Sequence, residues 1–588
     1  MAHRLYFAYG SNLDFDQMEF RCPGARYLGV ATLPGHRLRM DTAGFATVVP
    51  DPAYEVQGAL WSLDGADESK MDYYEGVDFG FYEKRYVTVW YDGDLRDGKD
   101  EGITHVFGYY DLEERHAVPI DALIYLSLRG PFCGSTFRDY YIARIRNGAL
   151  SLSLGKQTLE QIDAIQLIAP GDIPAVNRQR MIDYLRAGCK PTVRNLGVEI
   201  EHFVVHGDEK GRVSYEPHDN VVGARDILGF MSQYYKPSDW NSKGDLLGLS
   251  GETGNVTLEP AAQLEFSVAP YERVADIDAS YRQFRHRIDR YLELVGCYIE
   301  SCGYHPSTKA ADLPLIPRSR YKFMDRHFKL LGTRGERMMR ACSATQVSID
   351  FRSEEDAVRK FRIASALAPI FGFICDNTPV YEGEPSQGHL ARLRLWREVD
   401  GVRCATPPGT FDEGFGFDRY VDWILGIPPI YITRPSAEDP RGPRTRGFNS
   451  VSTAVACSDA PMSERDVMHA LSMCWPDVRL KQFVEIRPAD SLPPAQVAGY
   501  AALIKGLFYS DECLDALEQK LGVENGIWPL GDESATQAIE AIAAEGAQAS
   551  VYGMPCGDWV DFVFGLAEGH LPEDELHFLK DLEDFTRR

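Results

Sequence analysis

Between Gly251 and Ser267 the chain reads GETGNVTLEPAAQLEFS, a stretch that would crowd like charges on one side of an extended segment. Read as a strand, Glu259, Gln263 and Glu265 share one parity, while Leu258, Leu264 and Phe266 take the other. Three more runs follow the same rule. Glu199 and Glu201 alternate with Val198 and Ile200 in Gly197–Val205, and Gln346, Ser348 and Asp350 alternate with Val347, Ile349 and Phe351 in Ala344–Phe351. In Gln482–Pro488, Glu485 and Arg487 alternate with Val484 and Ile486. Each run offers an apolar face and an acidic or amide face. Carboxylates gathered this way repel one another unless a cation stands between them. The pattern therefore points to a hard divalent cation with oxygen ligands, and Mg²⁺ commonly arrives with nucleotide phosphates. The competing reading is an antiparallel sheet with an ordinary solvated face.

The chain has 588 residues, too many for one hydrophobic core, so about two to four domains are expected. A formal charge of −25 leaves no basic excess to release counterions, which argues against a nucleic acid or an anionic membrane as partner. It leaves ATP allowed, because a phosphate site needs only a few local cations and a metal. The twelve cysteines are scattered, as in a reduced cytoplasmic protein with structural thiols. Whether the closest pair, Cys297 and Cys302, forms a redox switch is left open, as is the oligomeric state. The start, MAHRLYFAYGSN, is too short in apolar residues for a signal peptide, and no run approaches the length of a membrane span.

At the N-terminus a short strand over Arg4–Ala8 breaks at Tyr9-Gly10-Ser11-Asn12-Leu13, with Ser11 or Asn12 placed to cap a helix through Asp16–Phe20. Such a break can aim several backbone N–H groups at one anion, or can be only a tight turn. Further on, DYYEGVDFGFYEKR sets Glu75 before Gly76 among aromatics, where a desolvated carboxylate can serve as a general base.

YGSNL followed by EGVDFGFY resembles the γ-glutamylcyclotransferase family, over roughly residues 1–155. The resemblance implies a small β-barrel-like domain in which Tyr9, Gly10, Ser11, Asn12 and Leu13 cradle the substrate and Glu75 is the catalytic acid/base. Tyr82 and Tyr141 would stand on the substrate side. The implied reaction is internal attack of a γ-glutamyl α-amine on its own γ-carbonyl, releasing 5-oxoproline without a metal.

Residues 156–176, polar and carrying Gly171 and Pro174, are expected to link the domains, with a helix over Asn177–Ala187 opening the second. From Gly197 onward, GVEIEHFVV, TLEPAAQLEFS, RYKFM…ERMMRACSATQVSIDF, RLRLWREVDGVR and FVEIRPADSLPP fall in one order. That order resembles the glutamate–cysteine ligase family of plants and many bacteria. It departs from the family pattern mildly at Ala261-Ala262, and Arg434–Arg446, which reads as a flexible basic loop with three prolines, does not align with it.

The resemblance implies an α+β chain whose second domain, 177–588, has a glutamine-synthetase-like antiparallel sheet with helices. ATP would phosphorylate the γ-carboxylate of glutamate, and an amine, cysteine first among candidates, would displace phosphate. Glu199, Glu201, Glu259, Glu265 and Glu485 are the expected Mg²⁺ ligands, with Gln263 and Gln346 as polar supports. Arg487 is expected to stabilise the transferring phosphoryl group, or else to form an internal salt bridge. Arg392 and Arg403 would grip the α-carboxylate of glutamate, and Lys322 and Arg340 the nucleotide phosphates. Two alternatives stand beside this reading: a different amine acceptor, and an N-terminal domain that senses γ-glutamyl metabolites without turning them over.

Overall fold

The computed structural model describes residues 3–41, 45–77, 80–91, 117–128, 135–136, 139–167, 173–241, 243–436, 439–447, 452–458 and 461–587. The chain divides into two compact units. One comprises Met1–Asn177, Ile432–Arg446 and Ala454–Val467; the other comprises Arg178–Tyr431, Gly447–Thr453 and Met468–Arg588. Among the described residues no helix is long and apolar enough to cross a membrane.

In the first unit, β1 (Arg4–Ala8), β2 (Arg26–Met40), β3 (Ala46–Leu63), β4 (Tyr82–Tyr91) and β5 (Val118–Ser127) close a barrel in the order β1-β3-β2-β4-β5. The seam is the parallel pairing of β1 with β5, where Tyr6 stands opposite Leu123. Phe7, Val56, Leu60, Val89 and Ile124 are buried in its core, so closure hides both the edges and the apolar payload of five strands. Helix α1 (Phe15–Arg21) is capped by Asp14, whose carboxylate accepts from Gln17 N at 2.8 Å; Ser11 and Asn12, expected to cap it, belong to a preceding 3-10 turn. Helix α2 (Gly65–Glu75) ends at Gly76 in the left-handed region (φ 65°), and a Cβ there would meet the Phe81 ring at 2.6 Å.

The expected linker needs correction over its first part. Helix α4 (Lys156–Asp163), which follows α3 (Asp139–Ser151), is fastened to the barrel. Gln161 accepts from Leu38 N at 2.9 Å and donates to Glu55 O at 2.7 Å, while Thr158 accepts from Gln57 N at 2.8 Å. Ile162 and Ile165 complete the barrel core. Residues 168–172 of that stretch lie outside the described residues.

The second unit is built on an antiparallel sheet. The strands along its main path are β6 (Leu196–His206), β7 (Lys236–Trp240), β8 (Leu246–Gly251), β9 (Gly254–Leu258), β10 (Leu264–Tyr271), β11 (Thr345–Ile349), β12 (Val478–Leu480) and β13 (Val484–Ile486), ordered β7-β8-β9-β10-β6-β11-β13-β12. Short strands at Gly211–Arg212 and Cys297–Glu300 pair with β6 off this path. The apolar parity lands on one face, where α5 (Val274–Leu294) and α10 (Pro494–Phe508) cover it. Phe266 of β10 stacks on Phe284 of α5 with centroids 4.3 Å apart. Four of the intervening helices are numbered α6 (Ser319–Leu331), α7 (Gly335–Ala341), α8 (Glu354–Ile374) and α9 (Ala391–Arg397). The α+β class expected from the sequence is what both units show.

One local expectation fails. Glu259 and Gln263 do not sit within one continuous strand: β9 ends at Leu258, β10 begins at Leu264, and the intervening residues turn through Ala262 at φ 71°. Glu259 N donates to Gln263 O at 2.9 Å to close that turn. Pro260, which has no N–H to give a ladder, favours the break.

Candidate functional site

Register gathers the acidic face of the second sheet. Glu201 stands opposite Glu265, and Glu265 opposite Thr257. Glu199 stands between Ser267 and Gln346, while Glu485 stands between Ser348 and Arg479. A cavity of about 380 Å³ opens over this face, and Glu199, Glu201, Glu259 and Glu265 all line it. The turn that defeats the parity argument thus still delivers Glu259 to the site.

Burial, and then the charges of Glu265 and Glu485, push the Glu199 carboxyl up to about 7. Burial followed by Glu259 does the same for Glu265, again to about 7. Glu201 is driven well above the carboxylate range by burial, Glu259 and Glu265. Among the described residues no three carboxylate, imidazole or thiol groups are already drawn into ligating geometry. The donor chemistry nevertheless fits a hard cation, because crowded oxygen donors with raised proton affinity are what a divalent ion relieves.

Glu485, expected among the ligands, is engaged otherwise. It is fully buried, and Arg479 (2.6 Å), Lys481 (3.0 Å) and Arg487 (3.1 Å) all pair with it. Burial alone would raise its pKa, but the three cations hold it well below the usual carboxylate range. Its oxygens are committed to protein cations, so it organises the guanidinium side of the cavity. Arg487 accordingly forms an internal salt bridge while also lining the cavity, and it donates to Gln346 Oε1. Gln346 in turn donates to Glu201 Oε1 at 3.0 Å, and Glu201 Oε2 accepts from Ala344 N at 2.8 Å.

Several expected contacts are corrected. Gln263 lines the cavity as expected, but as a clamp whose polar atoms are engaged by the protein: its carbonyl accepts from Ala261 N at 2.8 Å and its amide donates to Met339, Arg340 and Cys342 carbonyls, fastening the β9–β10 turn to the end of α7. Arg340 is tied to Asp325 at 2.6 Å, Glu336 at 3.3 Å and Leu313 O at 3.0 Å, away from the cavity lining. Lys322 is exposed on α6 and lies outside that lining. Arg403 braces Asp400 at 2.9 Å together with the Met473 and Pro428 carbonyls, also outside it. Arg392 reaches the cavity wall, yet its Nε bonds Asp490 at 2.8 Å and its Nη2 bonds the Pro488 and Ala489 carbonyls at 2.7 Å each. It shapes the segment after β13.

The cations that sequence reading missed are Arg318, Arg320 and Arg479, all lining the cavity. Arg320 lines the cavity at its exposed rim and donates to the Tyr321 hydroxyl at 2.6 Å. The helical repeat of α6 offered a signal: Arg320, Tyr321 and Met324 lie within one turn and share the cavity wall, whereas Lys322 points to solvent.

The barrel unit holds a second constellation. Glu75, at the end of α2, accepts from Asn12 Nδ2 at 3.1 Å and from Arg21 at 3.3 Å. Its charge raises the pKa of five tyrosines, Tyr6, Tyr9, Tyr82, Tyr125 and Tyr141, in each of which burial is the larger cause. For Tyr141 the result is about 12. Tyr82 donates to Ala46 O at 2.9 Å and Tyr141 accepts from Ala46 N at 3.1 Å, so the two expected substrate-side tyrosines grip one residue of β3. Tyr9 donates to Tyr125 O. A Cβ on Gly10 would come within 3.3 Å of Ala46 Cβ and 3.5 Å of the Tyr141 hydroxyl. Ser11 accepts from Gln17 at 2.7 Å, and Leu13 is fully buried. Ser11 and Asn12 open the 3-10 turn, where backbone N–H groups have no partner within the turn itself.

An antiparallel sheet that sets a row of carboxylates against guanidinium groups defines a site for handling cations and anionic substrates together. Residues 195–526 match the family described as glutamate-cysteine ligase family 2, and residues 6–121 match gamma-glutamyl cyclotransferase, AIG2-like. The chain is 30% identical over 380 residues to glutamate–cysteine ligase A, chloroplastic, of Oryza sativa subsp. japonica, covering 64% of this chain and 73% of that protein. It is 30% identical over 347 residues to glutamate–cysteine ligase, chloroplastic, of Arabidopsis thaliana, covering 58% of this chain and 65% of that one. A solved structure titled gamma-glutamyl cyclotransferase is 25% identical, with a TM-score of 0.22, covering 28% of this chain and 89% of its own. The chain belongs to glutamate-cysteine ligase family 2 and carries an N-terminal gamma-glutamyl cyclotransferase-like domain.

Proposed function

We propose that the second unit joins the γ-carboxylate of glutamate to the amine of cysteine at the expense of ATP. The observation that carries this reading is the single cavity holding Glu199, Glu201, Glu259 and Glu265 together with Arg318, Arg320, Arg479 and Arg487. Such a site can assemble a carboxylate substrate and a polyphosphate that would otherwise repel each other. The four glutamates would hold Mg²⁺, which when bound neutralises charge between protein carboxylates and phosphate oxygens. Arg487, backed by Arg479, faces the transferring phosphoryl group as the glutamate γ-carboxylate oxygen bonds to the terminal phosphorus and the ADP oxygen departs. The acceptor amine then attacks the γ-carboxyl carbon of the acyl phosphate, the C–O bond to phosphate breaks, and the nitrogen gives up a proton as the amide forms and inorganic phosphate leaves. Gln346 keeps Glu201 and Arg487 in fixed register throughout.

In the first unit Glu75 would take a proton from the γ-glutamyl α-ammonium. The freed amine attacks the γ-carbonyl and gives up its second proton, and the old amide bond breaks. Glu75 relays the two protons one at a time to the departing nitrogen, which goes as the ammonium and leaves 5-oxoproline. Opposed activities on one product would be futile, so in this reading the two units either prefer different γ-glutamyl compounds or are regulated. The setting is the cytoplasm, in line with the eleven described cysteines, of which all but Cys189 are buried.

The test is phosphate release by the full-length protein with Mg-ATP and glutamate, scanning amines singly, with mass spectrometry of products. Cysteine-dependent release accompanied by γ-glutamylcysteine is the expected result. Release with another amine alone would change the acceptor, and the absence of amine-dependent release would end the ligase reading. Replacing Glu75 with Gln should abolish 5-oxoproline release and leave binding of γ-glutamyl compounds intact.

A further inference from the structure

The cyclotransferase-like motif contains Glu75 but not the cation beside it. Arg21, the last residue of α1, brings one guanidinium nitrogen to 2.9 Å from Asn12 Oδ1 and 3.3 Å from Glu75 Oε1. Its guanidinium also lies over the Tyr74 ring, 5.0 Å from the centroid. Three partners drawn from the YGSNL turn and the end of α2 thus converge on one planar group.

Asn12 makes this arrangement directional. Its Oδ1 accepts from Arg21 and, at 2.8 Å, from Gln17, while its Nδ2 donates to Glu75 Oε1 at 3.1 Å and to Tyr6 at 2.8 Å. With two donors on the carbonyl, a flipped amide would set N–H against N–H, so Nδ2 must face the carboxylate. Arg21 therefore acts on Glu75 twice, by a direct charge-assisted bond and by fixing the amide that supplies the second bond. Two donors on one oxygen set the plane of the carboxylate.

We propose that Arg21 is the positioning residue for Glu75, orienting its carboxylate for proton transfer without itself gripping the γ-glutamyl substrate. This rests on the cyclotransferase reading above. A lysine reproduces it only in part, because its ammonium has donors for both oxygens but no planar face to lie over Tyr74, and its flexible stem leaves both bonds loosely directed. The pair is partly exposed, 21% for the Arg21 side chain and 16% for Glu75, so its removal should cost little folding stability.

The experiment measures 5-oxoproline release from γ-glutamylcysteine and γ-glutamylalanine by full-length protein, for the parent chain, E75Q, R21M and R21K. Misplacing a base by an ångström costs on the order of 100-fold, so R21M should lower kcat by about that factor with KM within about threefold. Millimolar guanidinium should restore R21M by about tenfold or more and leave E75Q silent. R21K, which keeps charge and stem and so guards against a folding artefact, should remain about tenfold or more below the parent. A raised KM at unchanged kcat would make Arg21 a substrate grip and overturn the proposal. Unchanged kinetics in R21M would reduce the contact to a surface pair. A parent chain that releases no 5-oxoproline removes the cyclotransferase reading and this proposal together, whereas an active parent with an indifferent R21M removes only the role of Arg21.

Discussion

Gln346 couples Glu201 to Arg487: its amide donates to Glu201 Oε1 at 3.0 Å while its carbonyl accepts from Arg487. The amide is the one neutral group in that row, and both of its ends are oriented by charge. Gln346→Glu would keep the shape, remove the donor and add a negative charge beside a carboxylate already strained by its neighbours. Losing an oriented donor at a developing charge costs about 100-fold or more, so Q346E should lower amine-dependent phosphate release by that order. Q346A, which adds no charge, should fall less. Equal losses would show that the charge is irrelevant.

The carboxylate cluster makes stability depend on pH. In the folded protein Glu199 and Glu265 hold their protons up to about 7, against an ordinary 4.5 in the unfolded chain. Between those values the folded state binds more protons, so stability falls as pH rises, and the loss is complete above about 7. The melting temperature of metal-free protein should therefore drop between about pH 5 and pH 8. E265Q should be more stable than the parent at the higher pH and similar at the lower. Added Mg²⁺ should flatten the dependence, because metal and protons compete for the same oxygens. Calorimetric melting across that range checks the sign.

Glu485 separates two roles that the sequence pattern could not. As a buried partner of Arg479, Lys481 and Arg487, its replacement by Gln deprives three cations of the carboxylate they share. Breaking a buried ion pair on one side typically costs about 3–5 kcal/mol. E485Q should therefore melt lower than the parent with or without Mg²⁺. E199Q and E201Q should instead weaken the Mg²⁺-dependent gain in melting temperature. If E485Q melts like the parent and loses only the metal response, Glu485 is a ligand.

The strand faces were legible because a period of two is a local property: Glu199, Glu201, Glu265, Gln346 and Glu485 stand on the predicted face, and pairing aligned them. Glu259 was found for an imperfect reason, since a turn and not strand parity carries it to the cavity. The arginines were far less legible. Arg392, Arg403 and Arg340 carry motif positions, yet carbonyls and carboxylates distant in sequence engage them. Arg318, Arg320 and Arg479 look like ordinary charges until the fold brings them to one cavity wall. What a long cation meets depends on tertiary packing, which no local period encodes. The boundary after the barrel was misplaced for a related reason: α4 reads as polar, and its attachment runs through Gln161 and Thr158 rather than through apolar residues alone.

Gly148 offers the sharpest steric prediction. It sits seven residues after Tyr141 on α3, so the two occupy the same face of the helix. A Cβ on Gly148 would come within 2.7 Å of Leu13 Cβ and 2.8 Å of the Leu13 carbonyl carbon. Backbone cannot yield as a side chain can, so either α3 or the YGSNL turn must move. Gly→Ala inside a helix usually favours the helix by about 1 kcal/mol, so a propensity argument alone forecasts a more stable protein. Close packing forecasts the opposite: G148A should melt lower and release 5-oxoproline at least about tenfold more slowly, because shifting Leu13 also shifts Asn12 away from Glu75. The ligase unit contains neither residue, so cysteine-dependent phosphate release should be retained. A G148A protein with higher thermal stability and parental 5-oxoproline release would show that the turn gives way freely and is not held by α3.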